Sequence, residues 1–384
     1  MDFVVFSDDW GRRPSAPQHL FAVLARRHRI LWVEPAGLRR PRLSRADIAR
    51  SAHKLRGFLP SGAPGPSEDP WLPQPDSLVR LVPPIIPAYG VASVRRANDA
   101  VLTRRVRAAL AAEGFDAPVL VTTIPTVAGV LGALGERCSV YWRVDDFSLW
   151  PGYDAAAITE REGVLLERAD ALLASAPGLL AAGPRIRQVF PHGVDLEHFS
   201  APPAGPSPLP GAGPHLLVAG RLDGRIDVEL LRGIAARRPQ AQLVLLGDAL
   251  AVPAALADLP NVQVHPHVPY AELPSWLHAA QVLLIPYRCS PWTDSLAPLK
   301  VREYLATGRP VVSTPLRGIL QDPELEGLVG IASGLDATLR AVDAAVVEPS
   351  GRGAARMQAM AGMSWSERAG AFESLISLLT SPAI

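Results

Sequence analysis

The residues best placed to do chemistry are a lysine and a glutamate near the start of a predicted helix. Lys300 and Glu303 lie three positions apart, so both project from one face of a helix that Gly308 and Pro310 end. Pro298 suits the first turn, where a backbone N–H would have no partner. The free N–H groups and positive dipole at that end attract anions. The pair therefore predicts a site for a diphosphate and a ribose, with a solvated surface pair as the alternative.

A second group with phosphate chemistry follows the apolar run His215–Ala219, which is typical of a buried strand. Gly220, Arg221 and Arg225 come directly after it, at what would be the carboxyl end of the strand. Glycine lets the backbone approach a phosphate closely, and an arginine fork matches phosphate oxygens. The segment predicts a diphosphate contact through Arg221 or Arg225, and both stay open. Surface arginines in a turn are the alternative.

Two adjacent carboxylates, Asp145 and Asp146, follow the apolar run Ser139–Trp142. A strand that ends here would deliver both side chains to the edge of a sheet, where α/β folds bind their ligands. Because adjacent carboxylates repel each other, one of them is favoured to take up a proton, as acid–base catalysis requires. The alternative is that one of them caps a helix or pairs with Arg143.

Short apolar strands alternate with helices along the chain, and this pattern occurs twice. The predicted strands are Phe3–Ser7, Ile30–Val33, Val79–Val82, Val119–Thr122, Ser139–Val144, Ala171–Ser175 and Gln188–Phe190, then His215–Ala219, Gln242–Leu246, Val262–His265, Val282–Pro286, Pro310–Thr314 and Gly327–Ile331. The predicted helices include His19–Arg27, Val94–Glu113, Ile158–Arg168, Pro177–Ala182, Val228–Ala236 and Tyr270–Ala279. Such alternation favours doubly wound α/β domains.

A stretch dense in proline and glycine, residues 201–211, separates the two runs and cannot form a regular element. We therefore predict an N-terminal domain over residues 1–200, a linker over 201–211 and a C-terminal domain over 212–363. Ser364 and Glu367 have capping-box spacing, so they begin a last helix within residues 364–384.

Composition limits the class of protein. A chain of 384 residues exceeds what one core usually supports, and 48% hydrophobic with 20% charged residues is ordinary for a well-buried globular protein. A net charge of +1 gives no case for nucleic-acid binding, and no apolar run of about 18 residues predicts a membrane span. The start, Met1–Asp9, is too acidic for a signal peptide. Cys138 and Cys289 lack metal-ligand spacing and favour a reducing cytoplasm, and no metal site is predicted.

Positive charge is concentrated between Gly37 and Pro60, where Asp47 is the single acid. The basic residues are Arg39, Arg40, Arg42, Arg45, Arg50, Lys54 and Arg56. Apolar residues at helical spacing accompany them, so the stretch Arg39–Arg56 predicts peripheral contact with an anionic membrane surface or an anionic acceptor. An ordinary solvated surface helix is the alternative.

Taken together, these motifs resemble those of the GT-B glycosyltransferases. The turn Pro191–Asp195 with Phe199 behind it, the segment Lys300–Pro310 and the late Trp365 are similar to the family-4-like enzymes of bacterial surface polysaccharides, including the teichuronic-acid type. The resemblance covers most of the chain and is stronger in the C-terminal half. It implies an α/β GT-B fold, with two Rossmann-like doubly wound domains facing each other across a cleft, and a last helix that crosses back to the first domain.

The resemblance also implies roles in donor binding. Family-4 enzymes usually carry two glutamates with seven residues between them; Glu303 matches the second, the ribose-binding one, and Ser295 occupies the position of the first. Thr293, Asp294 and Ser295 would run close to the sugar and the diphosphate. The family's Gly-Arg pair is followed by a lysine, which Arg225 replaces here.

Acceptor contacts are expected in the first half of the chain. In related folds the loop after the first strand faces the acceptor, so Trp10 would stack on a sugar ring, and Arg12 or His19 would meet an anionic diphosphate or uronate. His192 would border the cleft in a positional role. Asp146 matches an aspartate that serves as the base of an inverting displacement in the xanthan-type glucuronosyltransferases.

The predicted function is the metal-independent transfer of a sugar from a nucleotide-sugar donor, most simply a UDP-sugar, to a lipid-linked, polysaccharide or other glycan acceptor. The donor is a co-substrate, and no cofactor is expected. The presence of Asp145 and Asp146, together with Ser295 in place of a glutamate, favours inversion. The alternatives are a nucleotide-sugar 2-epimerase of the same fold and a non-catalytic partner in a glycan-assembly complex.

Overall fold

The computed structural model describes residues 1–35, 71–203, 205–209, 211–248, 252, 254–349 and 351–381. The chain forms two compact units, one of Met1–Pro191 with Arg368–Ile384 and one of His192–Glu367. The basic stretch Arg39–Arg56 lies outside the described residues, and its predicted membrane contact stays a prediction. In the part of the chain that is described, no helix combines the length and the apolar character needed to cross a bilayer.

The first unit is built on a sheet of parallel strands. The strands are β1 Asp2–Phe6, β2 Arg29–Val33, β3 Leu78–Leu81, β4 Val119–Thr122, β5 Cys138–Arg143, β6 Ala171–Ala174 and β7 Ile186–Val189. They lie in the order β3-β2-β1-β4-β5-β6-β7, and all neighbours are parallel. The helices before the second unit are α1 Ala16–Leu24, α2 Ala92–Ala112 and α3 Ala155–Arg168, with 3-10 turns at Pro125–Val130, Phe147–Leu149 and Pro177–Leu179.

Strand β1 is buried on both faces, as a central parallel strand requires. On one face the ring of Phe3 packs against Phe21 of α1 and against Phe372 of the C-terminal helix, with ring centres 5.8 and 6.2 Å away. On the other face Val4 and Phe6 lie in a cluster with apolar side chains of α2. The first and last segments of the chain thus share one core.

The second unit repeats the plan with a sheet of parallel strands. The strands are β8 His215–Ala219, β9 Gln242–Leu246, β10 Val262–His265, β11 Val282–Ile285, β12 Val311–Ser313 and β13 Gly330–Ile331. Their order is β10-β9-β8-β11-β12-β13. The helices from here on are α4 Leu196–Ser200, α5 Val228–Arg237, α6 Ala254–Ala257, α7 Leu273–Ala279, α8 Pro291–Asp294, α9 Lys300–Ala306, α10 Arg317–Leu320, α11 Leu335–Val346, α12 Gly351–Met360 and α13 Trp365–Thr380, with 3-10 turns at Tyr270–Glu272 and Pro323–Leu325.

Each sheet has a point at which the strand order reverses. In the first sheet it lies between β1 and β4, and in the second between β8 and β11. Because the flanking connections leave such a point on opposite faces, a crevice opens there at the carboxyl ends of the strands, and open α/β sheets bind their ligands in it. Residues directly after these four strands are therefore the first places to look for a site.

The change from one unit to the other falls at His192, whereas the predicted linker is residues 201–211. Helix α4 packs inside the second unit: the ring of His198 stacks on Tyr270 at 4.4 Å, and the carbonyl of Phe199 accepts a hydrogen bond from His278 at 2.8 Å. Proline and glycine residues indicate where regular structure ends. They do not indicate that α4 packs in the second unit, which depends on these contacts of His198 and Phe199.

The predicted strands are all present, and their ends differ by a few residues at most. One predicted helix is wrong: over Pro177–Ala182 the structure has only a 3-10 turn, Pro177–Leu179. Gly178 disfavours a helix there. Because β7 begins at Ile186, the segment has room for little more than one turn. The last helix is capped as expected, because the hydroxyl of Ser364 accepts from the N–H of Glu367 at 3.1 Å.

Candidate functional site

The side chain of Lys300 lies at the switch point of the second sheet. Its Nζ donates a hydrogen bond to the carbonyl of Ala219, the last residue of β8, at 2.7 Å. The same nitrogen lies 5.4 Å from the ring centre of Tyr287, which comes just after β11. Lys300 therefore bridges the ends of the two strands between which the order reverses.

Two glycines allow close packing beside this lysine: Gly220 lies against its ammonium group, and Gly247 lies against the backbone of Gly220. Gly220 and Gly247 follow β8 and β9, with φ angles of +114° and +136° that favour glycine. A Cβ at position 220 would lie 2.7 Å from Nζ of Lys300, and a Cβ at position 247 would lie 1.9 Å from the carbonyl oxygen of Gly220. Backbone thus lies against backbone beside the ammonium group, an arrangement that suits a phosphate. Gly220 was predicted; Gly247 was missed, although it too follows an apolar strand.

The structure separates the two candidate arginines. Arg225 forms a two-pronged pair with Asp223, at 2.8 and 2.9 Å, and its guanidinium lies 5.6 Å from the ring centre of Tyr287. Arg221 is more exposed, at 40% for its side chain, and its Nε lies 3.6 Å from Asp223. Arg225 therefore shares the aromatic ring that Lys300 contacts.

The cluster of Lys300 and Arg225 on the ring of Tyr287 keeps its positive charge at neutral pH. Burial alone would favour the neutral amine, but the phenols of Tyr287 and Tyr304 outweigh it and hold the pKa of Lys300 above its ordinary value. Burial likewise opposes the charge of Asp223, yet the hydrogen bonds from Arg225 bring the pKa of Asp223 below its ordinary value. Two cations on one ring repel each other, and an anion between them would relieve that repulsion.

Glu303 is the buried carboxyl group of the site, with 8% exposure. Burial raises the pKa of Glu303 to about 7; the charge of Lys300 works against this rise, and the carboxylate of Asp195 adds to it. A carboxylate that is costly to bury without partners gains from hydroxyl donors. It could therefore accept hydrogen bonds from two neighbouring hydroxyls of a ligand, as the sequence predicts.

Helix α9 is held in place from two sides. The hydroxyl of Tyr304 bonds both to the N–H of Ala219, at 3.0 Å, and to its carbonyl, at 3.2 Å. The buried Arg302 pairs with Asp322 and Glu324, both at 2.7 Å. The helix begins at Lys300, so Pro298 lies in the turn before it rather than in its first turn. These anchors fix Lys300 and Glu303 relative to the end of β8.

The three residues expected near the sugar and diphosphate make hydrogen bonds within the protein in this structure. Thr293 is buried and forms a capping box with Ser290 at the start of α8. Asp294 accepts from a backbone N–H at 3.3 Å, and Ser295 donates to the carbonyl of Trp292 at 2.8 Å. Contact of Thr293, Asp294 and Ser295 with a donor stays a prediction.

The turn that contains His192 joins the late Trp365. The N–H of Val194 donates to the carbonyl of Met363 at 2.9 Å, and the N–H of Trp365 donates to the carbonyl of Val194 at 3.3 Å. His192 is buried, with its ring centre 6.5 Å from that of Trp365. Two sequence motifs far apart in the chain thus form one local structure, and a positional role for His192 agrees with its packing.

In the first unit, Asp146 is held by its neighbours. One carboxylate oxygen pairs with Arg143 at 3.1 Å, and the other caps the turn Phe147–Leu149 through the N–H of Ser148, at 3.1 Å, and its hydroxyl, at 2.5 Å. Asp145 is buried and accepts from the N–H of Asp146 at 2.9 Å. The alternative weighed for this pair, a cap and an ion pair, is therefore the arrangement seen for Asp146, and its role as a base stays a prediction.

Trp10 does not have the exposure that stacking on a sugar requires. It is 3% exposed, packs edge-on against Trp32 at 4.8 Å, and donates its backbone N–H to Glu34. Its indole packs in the core of the first unit, where so large a ring buries a large apolar area. Arg12 is exposed and pairs with Asp9 at 3.0 Å.

His19 is also buried, and its ring lies 4.6 Å from that of Trp71. It comes from α1, next to Gln18, whose side chain binds the backbone N–H of Gly11 at 2.8 Å. Contact of Arg12 or His19 with an acceptor stays a prediction. Among the described residues, no three His, Cys, Asp or Glu side chains are grouped so as to hold a metal ion.

Sequence comparison places part of the chain among known proteins. Residues 213–348 match the family described as Glycosyl transferases group 1. The chain is 30% identical over 132 residues to TuaH of Bacillus subtilis (strain 168), a glycosyltransferase named for teichuronic acid biosynthesis. That match covers 33% of this chain and spans only 33% of the relative.

Solved structures resemble the whole chain in fold. Sucrose-phosphate synthase (tll1590) from Thermosynechococcus elongatus has a TM-score of 0.69 at 18% identity, covering 98% of both chains. Anabaena Alr3699/HepE in complex with UDP and glucose has 0.67 at 13% identity, covering 97% of this chain and 99% of the other. The glycosyltransferase WaaG, of lipopolysaccharide biosynthesis, has 0.60 at 14% identity over all of both chains.

At these identities the structural likeness establishes the fold and no more. The predicted α/β class and the resemblance to GT-B glycosyltransferases are confirmed, while the finer similarity to xanthan-type glucuronosyltransferases stays a prediction. The chain has the GT-B fold, and its residues 213–348 match the group 1 glycosyl transferase family.

Proposed function

We propose that this protein is a glycosyltransferase that moves a sugar from a UDP-sugar to a glycan or lipid-linked acceptor. The observation that carries the proposal is the pair of cations, Lys300 and Arg225, on the ring of Tyr287 at a glycine-lined switch point. This cluster lies in the segment that matches the group 1 family. A UDP donor is supported by two structural neighbours, HepE with UDP-glucose and an E. coli protein with UDP-2-fluoro glucose.

In this proposal the second unit binds the donor. Lys300 and Arg225 contact the diphosphate, and the backbone of Gly220 and Gly247 lets it approach. Arg225 is preferred to Arg221 because it lies over the ring that Lys300 contacts. Glu303 accepts hydrogen bonds from the ribose hydroxyls.

The chemical step needs charge stabilisation at the leaving group. The acceptor hydroxyl gives its proton to a base, for which Asp146 is the predicted residue, and its oxygen forms a bond to the anomeric carbon. The bond from that carbon to the diphosphate oxygen breaks, and UDP leaves with the electron pair. Negative charge grows on the diphosphate, where fixed cations lower the barrier. We propose that Lys300 and Arg225 do this without a metal ion.

The acceptor and the location belong to the same proposal. The likeness to a protein named for teichuronic acid biosynthesis supports an acceptor of the cell envelope, lipid-linked or polysaccharide. Such acceptors are assembled at membranes, which agrees with the predicted contact of Arg39–Arg56 with an anionic surface and with a cytoplasmic site on the inner face of the membrane.

Thermal unfolding in the presence of nucleotides tests donor binding. A ligand that binds only the native state stabilises it by about 2.7 kcal/mol at a hundred times its Kd. We expect UDP to raise the Tm by several degrees, and GDP and dTDP to raise it less. Lys300→Ala should weaken UDP binding about tenfold to hundredfold, since a hydrogen bond to a charged group contributes about 1.5–3 kcal/mol.

Arg232→Ala is the matched control, because Arg232 is an exposed arginine of the same unit whose partner is the exposed Glu229. Its UDP-induced shift should equal that of the wild type. An unchanged shift in Lys300→Ala would contradict the phosphate role. A wild type that shows no shift with any of the three nucleotides, and releases no UDP from UDP-sugars, would contradict the proposed function. Conversion of the donor to its epimer without an acceptor would favour the 2-epimerase instead.

A further inference from the structure

We propose that Trp292 is a positioning residue of the donor site, which holds the guanidinium of Arg225 where the diphosphate binds. The inference rests on the proposed function, because the contact of Arg225 with the diphosphate comes from there. Trp292 was missed in the sequence, although the three residues after it were predicted to lie near the sugar and the diphosphate. Its contact with the arginine appears only in the fold.

The guanidinium of Arg225 lies near two aromatic rings. Its Cζ is 5.6 Å from the ring centre of Tyr287 and 5.6 Å from that of Trp292. Both distances fall within the range of about 6 Å in which an aromatic face attracts a cation, and tryptophan attracts it most strongly. Tyr287 also contacts Lys300, so its ring serves both cations, whereas the contact of Trp292 is with the arginine.

The loops that carry the two partners are joined through their main chains. Arg225 follows β8 and Trp292 follows β11, the two strands between which the order of the second sheet reverses. The N–H of Arg288 donates to the carbonyl of Arg225 at 2.8 Å, and its Nε donates to the carbonyl of Ile226 at 3.2 Å. Ile226 also forms an isolated antiparallel bridge with Tyr287. The main chain of Arg225 is therefore fixed beside the loop from which the indole comes.

Trp292 is itself held by its neighbours in helix α8. Ser290 and Thr293 form the capping box of this helix. Thr293 is buried, and its hydroxyl donates to the carbonyl of Arg288. The hydroxyl of Ser295 donates to the carbonyl of Trp292 at 2.8 Å. Because these bonds fix the main chain on both sides of Trp292, they keep its indole beside Arg225.

An aromatic ring holds the arginine without neutralising it. The carboxylate of Asp223 already accepts from Nε and Nη2 of Arg225, at 2.8 and 2.9 Å. A second carboxylate in place of the ring would compete with the diphosphate for the positive charge, whereas the attraction by a ring takes up none of the N–H groups. A long side chain that is held in place beforehand also loses less rotational freedom when a ligand binds.

The first test measures the affinity for UDP by titration calorimetry in Trp292→Leu and Trp292→Phe. Leucine keeps apolar bulk but has no aromatic ring, whereas phenylalanine keeps a ring. A cation–π contact of this kind accounts for about threefold to thirtyfold in an equilibrium constant. We expect Trp292→Leu to weaken UDP binding by a factor in this range, and Trp292→Phe to recover most of the loss.

A double-mutant cycle tests whether Trp292 acts through Arg225. Arg225→Ala should weaken UDP binding about tenfold to hundredfold, and Trp292→Leu should weaken it no further in that background. Arg221→Ala is the matched control, because Arg221 also follows β8 and its side chain is 40% exposed. There Trp292→Leu should have its full effect. A tryptophan that only supports the fold would weaken binding equally in all three backgrounds.

Fluorinated tryptophan at position 292 gives a second measurement if Trp292→Leu does not fold. Fluorine atoms draw electron density from the face of the indole with little change in its size, so they weaken its attraction for a cation. We expect the affinity for UDP to fall stepwise from tryptophan to its monofluoro, difluoro and trifluoro forms. In Arg225→Ala all four forms should bind UDP equally.

Three results would overturn the inference and leave the proposed function intact. They are a loss of less than threefold in Trp292→Leu, an equal loss with and without Arg225, and an affinity that fluorination leaves unchanged. If Arg225→Ala bound UDP as the wild type does, Arg225 would not contact the diphosphate and Trp292 would have nothing to position. A wild type that neither binds UDP nor releases it from UDP-sugars would contradict the proposed function itself, and the inference with it.

Discussion

At the scale of the residue, Glu303 gives the candidate donor site a dependence on pH. Burial raises the pKa of Glu303 to about 7, so the carboxylate that would accept from ribose hydroxyls exists above this pH and is lost below it. Between pH 8 and pH 6 the ionised fraction falls from about 0.9 to about 0.1. We therefore expect UDP to bind about tenfold more weakly at pH 6 than at pH 8 in titration calorimetry.

Glu303→Gln is the control for this prediction, because its amide keeps the shape of the side chain without titrating. Its affinity for UDP should be lower than that of the wild type at pH 8 and should change with pH only as UDP itself titrates. A wild-type affinity that varies no more with pH than that of the variant would exclude Glu303 from the ribose contact.

Residue types and spacing predicted part of this site. Lys300 and Glu303 belong to one helix, where three-residue spacing alone places them on one face. Tyr287 and Gly247 were missed, since Tyr287 meets Lys300 and Gly247 meets Gly220 only through the order of the strands, which no local pattern encodes. Asp146 was favoured on chemistry, but its partner Arg143 lies three residues away and was already visible in the sequence as the alternative.

At the scale of the element, the turns after β8 and β9 must remain without side chains. In Gly247→Ala the new Cβ would overlap the carbonyl of Gly220, and the φ of +136° is strained for alanine. We expect a loss of more than about 1 kcal/mol in the free energy of unfolding, measured in urea, and loss of UDP binding.

Gly224→Ala is the matched substitution for Gly247→Ala. A Cβ at position 224 would meet nothing within 4 Å, and the change should alter stability by no more than about 0.5 kcal/mol. Equal stability of the two variants would show that the turns tolerate a side chain and that the close contact of Gly220 with Gly247 is unimportant.

Strands were predicted more accurately than helix ends. A parallel strand buried on both faces is a continuous apolar run bounded by turn residues, and both signals are local. Helix α9 shows the contrast: the sequence places its first turn at Pro298, but the helix begins at Lys300. Its position depends on Arg302 and Tyr304, whose partners are distant in sequence and therefore invisible to pattern analysis.

At the scale of the whole molecule, the C-terminal helix contributes to the core of the first unit. Phe372 contacts Phe3, Phe21 and Phe190, with ring centres 5.9–6.2 Å apart. Phe372→Ala would leave a cavity against β1 and should lower the free energy of unfolding by about 3–5 kcal/mol in urea.

Leu378→Ala serves as the control on the same helix, because Leu378 is 65% exposed and its loss should cost less than about 0.5 kcal/mol. If Phe372→Ala were no less stable than Leu378→Ala, the last helix would not contribute to the core. The sequence anticipated the helix from the Ser364 cap, but only the family resemblance suggested where it packs.

The first unit is discontinuous in the sequence, and this affects the order in which the protein is made. A ribosome synthesises Met1–Pro191 long before Arg368–Ile384. Phe3 and Phe21 therefore lack their contact with Phe372 until the whole second unit has been synthesised. The continuous stretch His192–Glu367 can complete its own core sooner. Nascent chains arrested shortly before residue 368 should therefore present an uncovered aromatic face, a target for chaperones that the released chain no longer offers.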